Sequence, residues 1–133
     1  MYFDQEKIEN GILEIEAFFT LSHKSLVTEN VSGSKIQKIS GLKKSKTINF
    51  VLIGQLGKKV KLLPDGTYER SEISSRTILD GAFEIIRSAS ELIPCKCVLI
   101  ECSDDEKVRS VYENYGFLFF QNDGDHNQYY KML

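Results

Sequence analysis

The stretch CVLIECSDDEKVRSVYENYGFLFF, residues 97–120, predicts a strand, a helix and a second strand in close succession. Its first six residues are apolar apart from one glutamate, as in a short buried strand. The acidic turn that follows supplies a cap and favourable charge for a helix over residues 106–114. Gly116 stands where a helix stop is expected, and residues 117–121 are apolar again, which predicts the second strand.

Upstream of this stretch, residues 76–92 predict the longest helix of the chain. Apolar residues recur at spacings of three and four and form one broad stripe that should face the core. The stripe consists of Ile78, Leu79, Ala82, Phe83, Ile85, Ile86, Ala89 and Leu92. Ser74 and Ser75 offer caps before the helix, and Pro94 should end it.

The remaining pattern predicts strands. Residues 48–56 are apolar on both faces, as a strand in the middle of a sheet requires. Residues 12–22 change from alternating to continuously apolar, which is typical of a long strand that enters a core. Asn10-Gly11 is a hairpin turn signal that points back to a short strand at residues 2–3. A last strand is predicted at residues 128–132.

We therefore predict an α/β fold with the order β-β-β-α-β-α-β-β in a single domain, residues 1–133. A chain of 133 residues is long enough to bury one continuous core. Residues 24–47 are rich in Ser, Lys and Gly and predict a surface connection with a short helical turn at residues 36–39.

Composition excludes several classes of protein. No apolar run reaches the roughly 18 residues of a membrane span, so we expect a cytoplasmic protein. With 17 Lys and Arg against 19 Asp and Glu, the net charge of -2 gives the whole molecule no attraction to nucleic acid. Cys95, Cys97 and Cys102 form a poor disulfide framework, and we expect buried strand thiols rather than metal ligands.

The helix ending Tyr112-Glu113-Asn114-Tyr115-Gly116-Phe117 resembles the end of the GNAT superfamily of acyl-CoA-dependent N-acetyltransferases. AFFTLS, residues 17–22, looks like the third strand of that family, and FVLIGQLG, residues 50–57, looks like its fourth. The resemblance implies a mixed, mainly antiparallel sheet flanked by helices. It also implies acetyl-CoA as co-substrate, bound where the fourth and fifth strands part.

Two binding segments follow from this resemblance. The backbone near Leu56, Gly57 and Lys58 would pair with the pantetheine arm of the co-substrate. The pyrophosphate loop has the family pattern Gln/Arg-x-x-Gly-x-Gly/Ala, and RSEISS, residues 70–75, occupies its place without the glycines. Its candidate contacts are Arg70, Ser74, Ser75, Arg76 and Thr77, since amides at a helix start bind anions. The alternative is a plain capped helix start.

Tyr112 matches the family tyrosine that can protonate the departing thiolate, and a phenol suits that role. The alternative is an aromatic anchor that packs the helix onto the sheet, and Tyr115 is predicted to be structural. The general base stays open among Glu101, Glu72, His23 and a water chain. A second histidine, His126, lies in a polar turn and is expected to be solvated.

The function stays open among three classes. The first is an N-acetyltransferase that acts on a small-molecule or protein amine. The second is a catalytically inactive binding or assembly module, because the strand and two helices that open the family fold have no counterpart in the chain. A fragment of a longer protein or a partner that supplies those elements would also explain this. The third is a toxin-type enzyme that acetylates aminoacyl-tRNA, for which the lysines at residues 35–46 would contact phosphates. A homodimer is among the partners considered.

Overall fold

The computed structural model describes residues 2–3, 5–11, 15–29, 31–40, 45–90 and 97–133. The strands are β1 (Tyr2–Phe3), β2 (Ile15–Val27), β3 (Thr47–Lys58), β4 (Val60–Leu62), β5 (Tyr68–Arg70), β6 (Cys97–Cys102), β7 (Leu118–Asn122) and β8 (Asn127–Met132). The helices are α1 (Gln5–Glu9), α2 (Gly33–Ser40), α3 (Ser75–Ser90) and α4 (Glu106–Tyr115). Within this described part, no helix combines the length and apolar character that a membrane span needs.

Six strands form one sheet in the order β1-β2-β3-β6-β8-β7, and β4 and β5 form a separate hairpin. All neighbouring pairs in the large sheet are antiparallel except β3 and β6, which are parallel. A parallel pair needs a crossover connection, and α3 provides it. The predicted α/β class with a mixed, mainly antiparallel sheet is confirmed, and β3 lies mid-sheet as expected.

Helices cover both faces of the sheet, but unequally. On one face, α3 and α4 pack over a core that is centred on Phe83, Ile100 and Phe117. On the other face, the shorter α2 places Ile36 and Ile39 over the end of the sheet where β3 begins. The rest of that second face carries exposed apolar surface at the start of β2, where Phe18 is 39% exposed.

The two predicted long helices are confirmed, with one correction. Ile85 was assigned to the core stripe of α3 but is 53% exposed, because it lies at the edge of a stripe narrower than predicted. Leu92 and Pro94 lie outside the described residues. In α4, Asp105 Oδ1 accepts from the Lys107 N–H at 2.8 Å, and Gly116 ends the helix with a φ of 108°. Glycine adopts that left-handed conformation without steric cost.

The predicted N-terminal hairpin is wrong. β1 does pair antiparallel with β2, but α1 lies between them in place of a tight turn. Asn10-Gly11 ends this helix: the Asn10 N–H donates to Glu6 O and the Gly11 N–H donates to Ile8 O. Gly11 has a φ of 77°. The same left-handed backbone serves a helix stop and a hairpin turn, so the Asn-Gly pair alone does not distinguish them.

The connection between the two long strands is shorter than predicted. β2 continues to Val27, because Leu26 is buried against Ile48 on the face that α2 covers. The helical turn predicted at residues 36–39 is confirmed as part of α2. Hairpin β4–β5 was not predicted, since its strand residues are exposed and carry no hydrophobic pattern. The first three residues of the predicted strand 12–22 lie outside the described residues.

Candidate functional site

The parallel strands β3 and β6 separate after a short paired stretch. Residues 51–53 pair with residues 98–100, and both strands continue beyond that point without pairing to each other. Gly54 is the extra residue of a bulge there, because Thr20 pairs with Gln55 and Leu21 pairs with Ile53. From Gln55 onward, β3 pairs with β2 on one side, and no described strand pairs with its other edge. Backbone N–H and C=O groups of that edge are therefore available to an extended ligand.

The opening between the two strands forms a cleft of about 420 Å³, which we call the β3–β6 cleft. It is lined by Phe18, Ile53, Gly54, Gln55, Leu56, Glu101, Cys102, Ser103, Val108 and Tyr112. Two predicted site residues, Leu56 and Tyr112, thus lie together with one candidate base, Glu101. Gly57 and Lys58 continue the unpaired edge of β3 but do not line the cleft.

The cleft connects the two faces of the sheet. Side chains alternate along a strand, so Ile100 and Cys102 face α3 and α4, whereas Glu101 faces the opposite way with Leu99. Tyr112 packs against the α3 and α4 face. A ligand in the cleft would therefore have the Tyr112 phenol on one side of the sheet and the Glu101 carboxylate on the other.

Tyr112 lines the β3–β6 cleft, and its ring is fixed by packing against the core. The ring is half-buried and meets Phe117 edge-on, with 6.0 Å between the ring centroids. No described residue forms a hydrogen bond with its hydroxyl. Burial, and then the electrostatic influence of the neighbouring Cys102 sulfur, raise the pKa of Tyr112 above its ordinary value of 10.0. The phenol therefore carries its proton at neutral pH and can donate it to a group in the cleft.

Tyr115, one turn further along α4, has a structural role, as expected. Its hydroxyl donates to Asp80 Oδ1 at 2.6 Å, which ties α4 to α3. Its ring contacts Phe83 and Phe117, and the Arg76 guanidinium lies 5.9 Å from its centroid. Burial and the hydrogen bond to Asp80 raise the pKa of Tyr115 to about 12.

The predicted phosphate loop is a capped helix start that follows hairpin β4–β5. Ser74 Oγ accepts from the Thr77 N–H at 3.1 Å and lies 2.9 Å from the Thr77 hydroxyl, so both hydroxyls are already engaged. The N–H groups of Ser75 and Arg76, in the first turn, have no acceptor within the helix and could still meet an anion. Arg70 ends β5 and is exposed. The structure does not bring these residues into the lining of the β3–β6 cleft.

The candidate bases lie in three different places. Glu101 lines the β3–β6 cleft, where Lys24 Nζ donates to its Oε1 at 2.6 Å and Gln128 Nε2 donates to its Oε2 at 3.0 Å. His23 lines a second, apolar cavity of about 270 Å³ beneath the end of α3, away from Tyr112. Glu72 is exposed in the loop before α3. Glu101 is therefore the candidate that the fold brings to the site.

Several residues that surround Glu101 have no signal in the sequence. Lys24 and Gln128 meet Glu101 only because β2, β6 and β8 come together in the sheet. His126, expected to be solvated, is exposed. It lies with Asp123 beside Glu101, and a ring nitrogen of His126 and one carboxylate oxygen of each acid are within 4.8 Å of one another. Their positions depend on long-range pairing, which no local pattern encodes.

The lysine segment and the cysteines follow their predictions in part. Lys35 is engaged, since its Nζ donates to Phe120 O at 3.3 Å and lies 5.3 Å from the Phe120 ring centroid. Lys38 and Lys46 are exposed, whereas Lys43 and Lys44 lie outside the described residues. Cys97 and Cys102 are buried strand thiols on β6, as predicted. Cys95 lies outside the described residues.

Comparison with known proteins identifies the fold. No protein-family model matches the sequence, and no curated protein matches it significantly. The solved structure of AtaT complexed with acetyl-methionyl-tRNAfMet matches with a TM-score of 0.63 and 22% identity, over 88% of this chain and 62% of that chain. AtaTR bound with acetyl-CoA matches with a TM-score of 0.61 and 21% identity, over 90% of this chain and 63% of that chain.

A third structure extends the comparison beyond AtaT and AtaTR. A GNAT family acetyltransferase from Listeria monocytogenes 4b F2365 matches with a TM-score of 0.50 and 14% identity, over 98% of this chain and 72% of its own length. The chain spans less than two thirds of the AtaT structures that it matches. At these identities a structural match establishes a shared architecture, and the conclusion is that this chain has the GNAT acetyltransferase fold.

Proposed function

We propose that the protein is an acetyl-CoA-dependent N-acetyltransferase that transfers an acetyl group to an amine. The observation that carries this proposal is the β3–β6 cleft, into which Tyr112 presents a hydroxyl with no hydrogen-bond partner among the described residues. The acetyl-CoA complex of the structural neighbour AtaTR supports it. The whole chain, residues 1–133, would act as one domain.

The residues present fit such a co-substrate. The unpaired edge of β3 at Leu56, Gly57 and Lys58 offers backbone partners to the amides of the pantetheine arm. The first-turn amides of Ser75 and Arg76 offer an anion site at the positive end of α3. Arg70, Ser74 and Thr77 border that site, although the two hydroxyls already bond to each other.

Acyl transfer requires a proton for the departing thiolate, and Tyr112 is the group in the cleft that can supply it. Its raised pKa keeps the phenol neutral until the sulfur develops charge. Cys102 and Val108 line the cleft beside it. Direct transfer from the thioester to a bound amine needs no covalent enzyme intermediate.

Calorimetry and a single substitution test this proposal. The wild-type protein should bind acetyl-CoA, and Tyr112→Phe should reduce turnover by about 10²-fold or more while the affinity for acetyl-CoA stays within error. Tyr130→Phe is the matched control, because Tyr130 is buried in the core on the opposite face. Absence of acetyl-CoA binding would refute the proposal, and an unchanged turnover would remove Tyr112 from the mechanism.

A second candidate is acetylation of aminoacyl-tRNA, which the neighbouring AtaT complex with acetyl-methionyl-tRNAfMet favours. Lys38 and Lys46, with Lys43 and Lys44, would contact phosphates. Charge reversal at Lys38 and Lys46 should then weaken tRNA binding and reduce its salt dependence. If tRNA binding stays equally tight after charge reversal at Lys38 and Lys46, these lysines do not contact the phosphates. If acetyl-CoA does not bind at all, the non-catalytic binding module becomes the better explanation.

A further inference from the structure

A polar cluster surrounds Glu101, the one member of the cluster that lines the cleft. It consists of Lys24, Glu101, Asp123 and His126, and we call it the Glu101 cluster. Lys24 comes from β2, Glu101 from β6, and the other two from the turn between β7 and β8. One carboxylate oxygen each of Glu101 and Asp123 and one ring nitrogen of His126 lie within 4.8 Å of one another. Lys24 Nζ contacts Glu101 Oε1 at 2.6 Å.

Glu101 is held in a fixed orientation. Gln128, which is 1% exposed, donates to Glu101 Oε2 at 3.0 Å and accepts from Gln121 Nε2 at 2.8 Å. Both carboxylate oxygens of this cleft-lining residue are thus engaged. Such a carboxylate can orient an amine. If Glu101 kept a proton, it would lose its negative charge and with it the ion pair with Lys24.

His126, unlike Glu101, is suited to accept the proton of the amine and to release it. Imidazole is the side chain that most often acts as a general base in enzymes, and His126 is exposed, so it can exchange protons with solvent. The backbone N–H groups of His126 and Asp125 donate to Asp123 Oδ1 at 2.7 and 2.9 Å. These bonds lower the pKa of Asp123 and keep its negative charge beside the imidazole. The carboxylates of Glu101 and Asp123 lie within 4.8 Å of the His126 imidazole, and the ammonium of Lys24 contacts Glu101.

We propose that His126 is the general base of the transfer and that Glu101 orients the acceptor amine and relays its proton to His126. This inference rests on the proposed function. The amine nitrogen forms a bond to the thioester carbonyl carbon, and the carbon–sulfur bond breaks. The proton of the resulting ammonium passes through the Glu101 carboxylate to the imidazole, which releases it to solvent. Tyr112 protonates the sulfur and recovers its proton from water.

The chain contains two histidines, which provides a matched pair of variants. His126→Ala should lower kcat at pH 7.5 by about 10²-fold, with bulk aminoacyl-tRNA and L-methioninamide as the two probe amines. Its acetyl-CoA affinity by calorimetry and its thermal unfolding should match the wild type. Added imidazole should restore part of the rate, because the site is exposed. His23→Ala, in the separate apolar cavity, should keep the wild-type rate.

The possible outcomes are separable. Transfer that survives His126→Ala unchanged, or a loss that imidazole does not rescue, overturns the inference and leaves the proposed function intact. Absence of transfer to either amine by the wild type overturns both. EDTA should leave the wild-type rate unchanged. An inhibition by EDTA equal to the effect of His126→Ala would show instead that the Glu101 cluster acts by holding a cation.

Discussion

Gly81 lies in the middle of α3 under the Tyr2 ring, and its replacement by alanine should destabilise the protein, although alanine is the better helix former. The Tyr2 hydroxyl contacts the carbonyl oxygens of Thr77 and Ile78 at 3.2 and 3.3 Å, which docks β1 on the first turns of α3. A Cβ atom at position 81 would lie 1.9 Å from the Tyr2 hydroxyl oxygen and 3.1 Å from its Cζ. The ring has to move away.

The size of this stability loss follows from one stabilising and two destabilising contributions. Alanine in a helix interior stabilises by about 1 kcal/mol relative to glycine. Displacing Tyr2 loses its hydrogen bond to α3, at about 0.5–1.5 kcal/mol. It also disturbs the Tyr2–Phe19 contact, with centroids 6.2 Å apart, and an aromatic contact of this kind contributes roughly 0.5–1.5 kcal/mol. The two losses total about 1–3 kcal/mol, so Gly81→Ala should lower the free energy of unfolding by about 1 kcal/mol, within a range of roughly 0–2, net of the helix gain.

Urea unfolding of four proteins tests the reasoning: the wild type, Gly81→Ala, Tyr2→Ala and the double variant. With Tyr2 already removed, the new methyl group meets open space, so Gly81→Ala should stabilise by about 1 kcal/mol. The sign of the effect should thus reverse between the two backgrounds. Equal effects within about 0.5 kcal/mol in both backgrounds would show that Tyr2 does not contact α3 in solution.

Three further predictions concern other positions. Tyr115→Phe removes the hydrogen bond to Asp80 and should cost about 1 kcal/mol in urea unfolding at pH 7. Because burial and that bond raise the folded-state pKa to about 12 from 10.0, this stabilisation is complete below pH 10 and is lost as pH rises to 12, so the variant should show a shallower loss in that window. Gly116→Ala places a side chain at a φ of 108° and should cost about 1–3 kcal/mol, measured as a lower urea midpoint with an unchanged slope. Gly57→Ala would set a Cβ 2.6 Å from the Phe18 ring, which lines the cleft, and calorimetry should show weaker acetyl-CoA binding with thermal stability nearly retained.

The sequence predicted those elements whose signals are local. The stripe of α3, the cap and stop of α4, and the continuous apolar run of β3 each specify one structure within a few residues. The Asn10-Gly11 pair failed because one backbone conformation serves two different motifs. Hairpin β4–β5 could not be predicted, because exposed three-residue strands carry no hydrophobic pattern.

The candidate site was predictable only in part. Tyr112 and Leu56 could be located because each belongs to a segment with a recognisable pattern. Glu101 was one candidate base among several, and the pairing of β6 with β8 decides its surroundings by placing Gln128 opposite it. His126 lies in a turn whose sequence is ordinary, and only the three-dimensional arrangement brings it to Glu101. Whether residues 1–133 act as one domain stays a prediction.

The three-residue parallel seam between β3 and β6 also bears on how the chain folds. Each half of the sheet pairs antiparallel strands that are close in sequence, such as β6 with β8, and can form early. The seam closes the longer loop through hairpin β4–β5 and α3, and loop closure of this kind is slow. A ligand that contacts both strands would link the halves, and slower hydrogen exchange at residues 51–53 and 98–100 would report its binding.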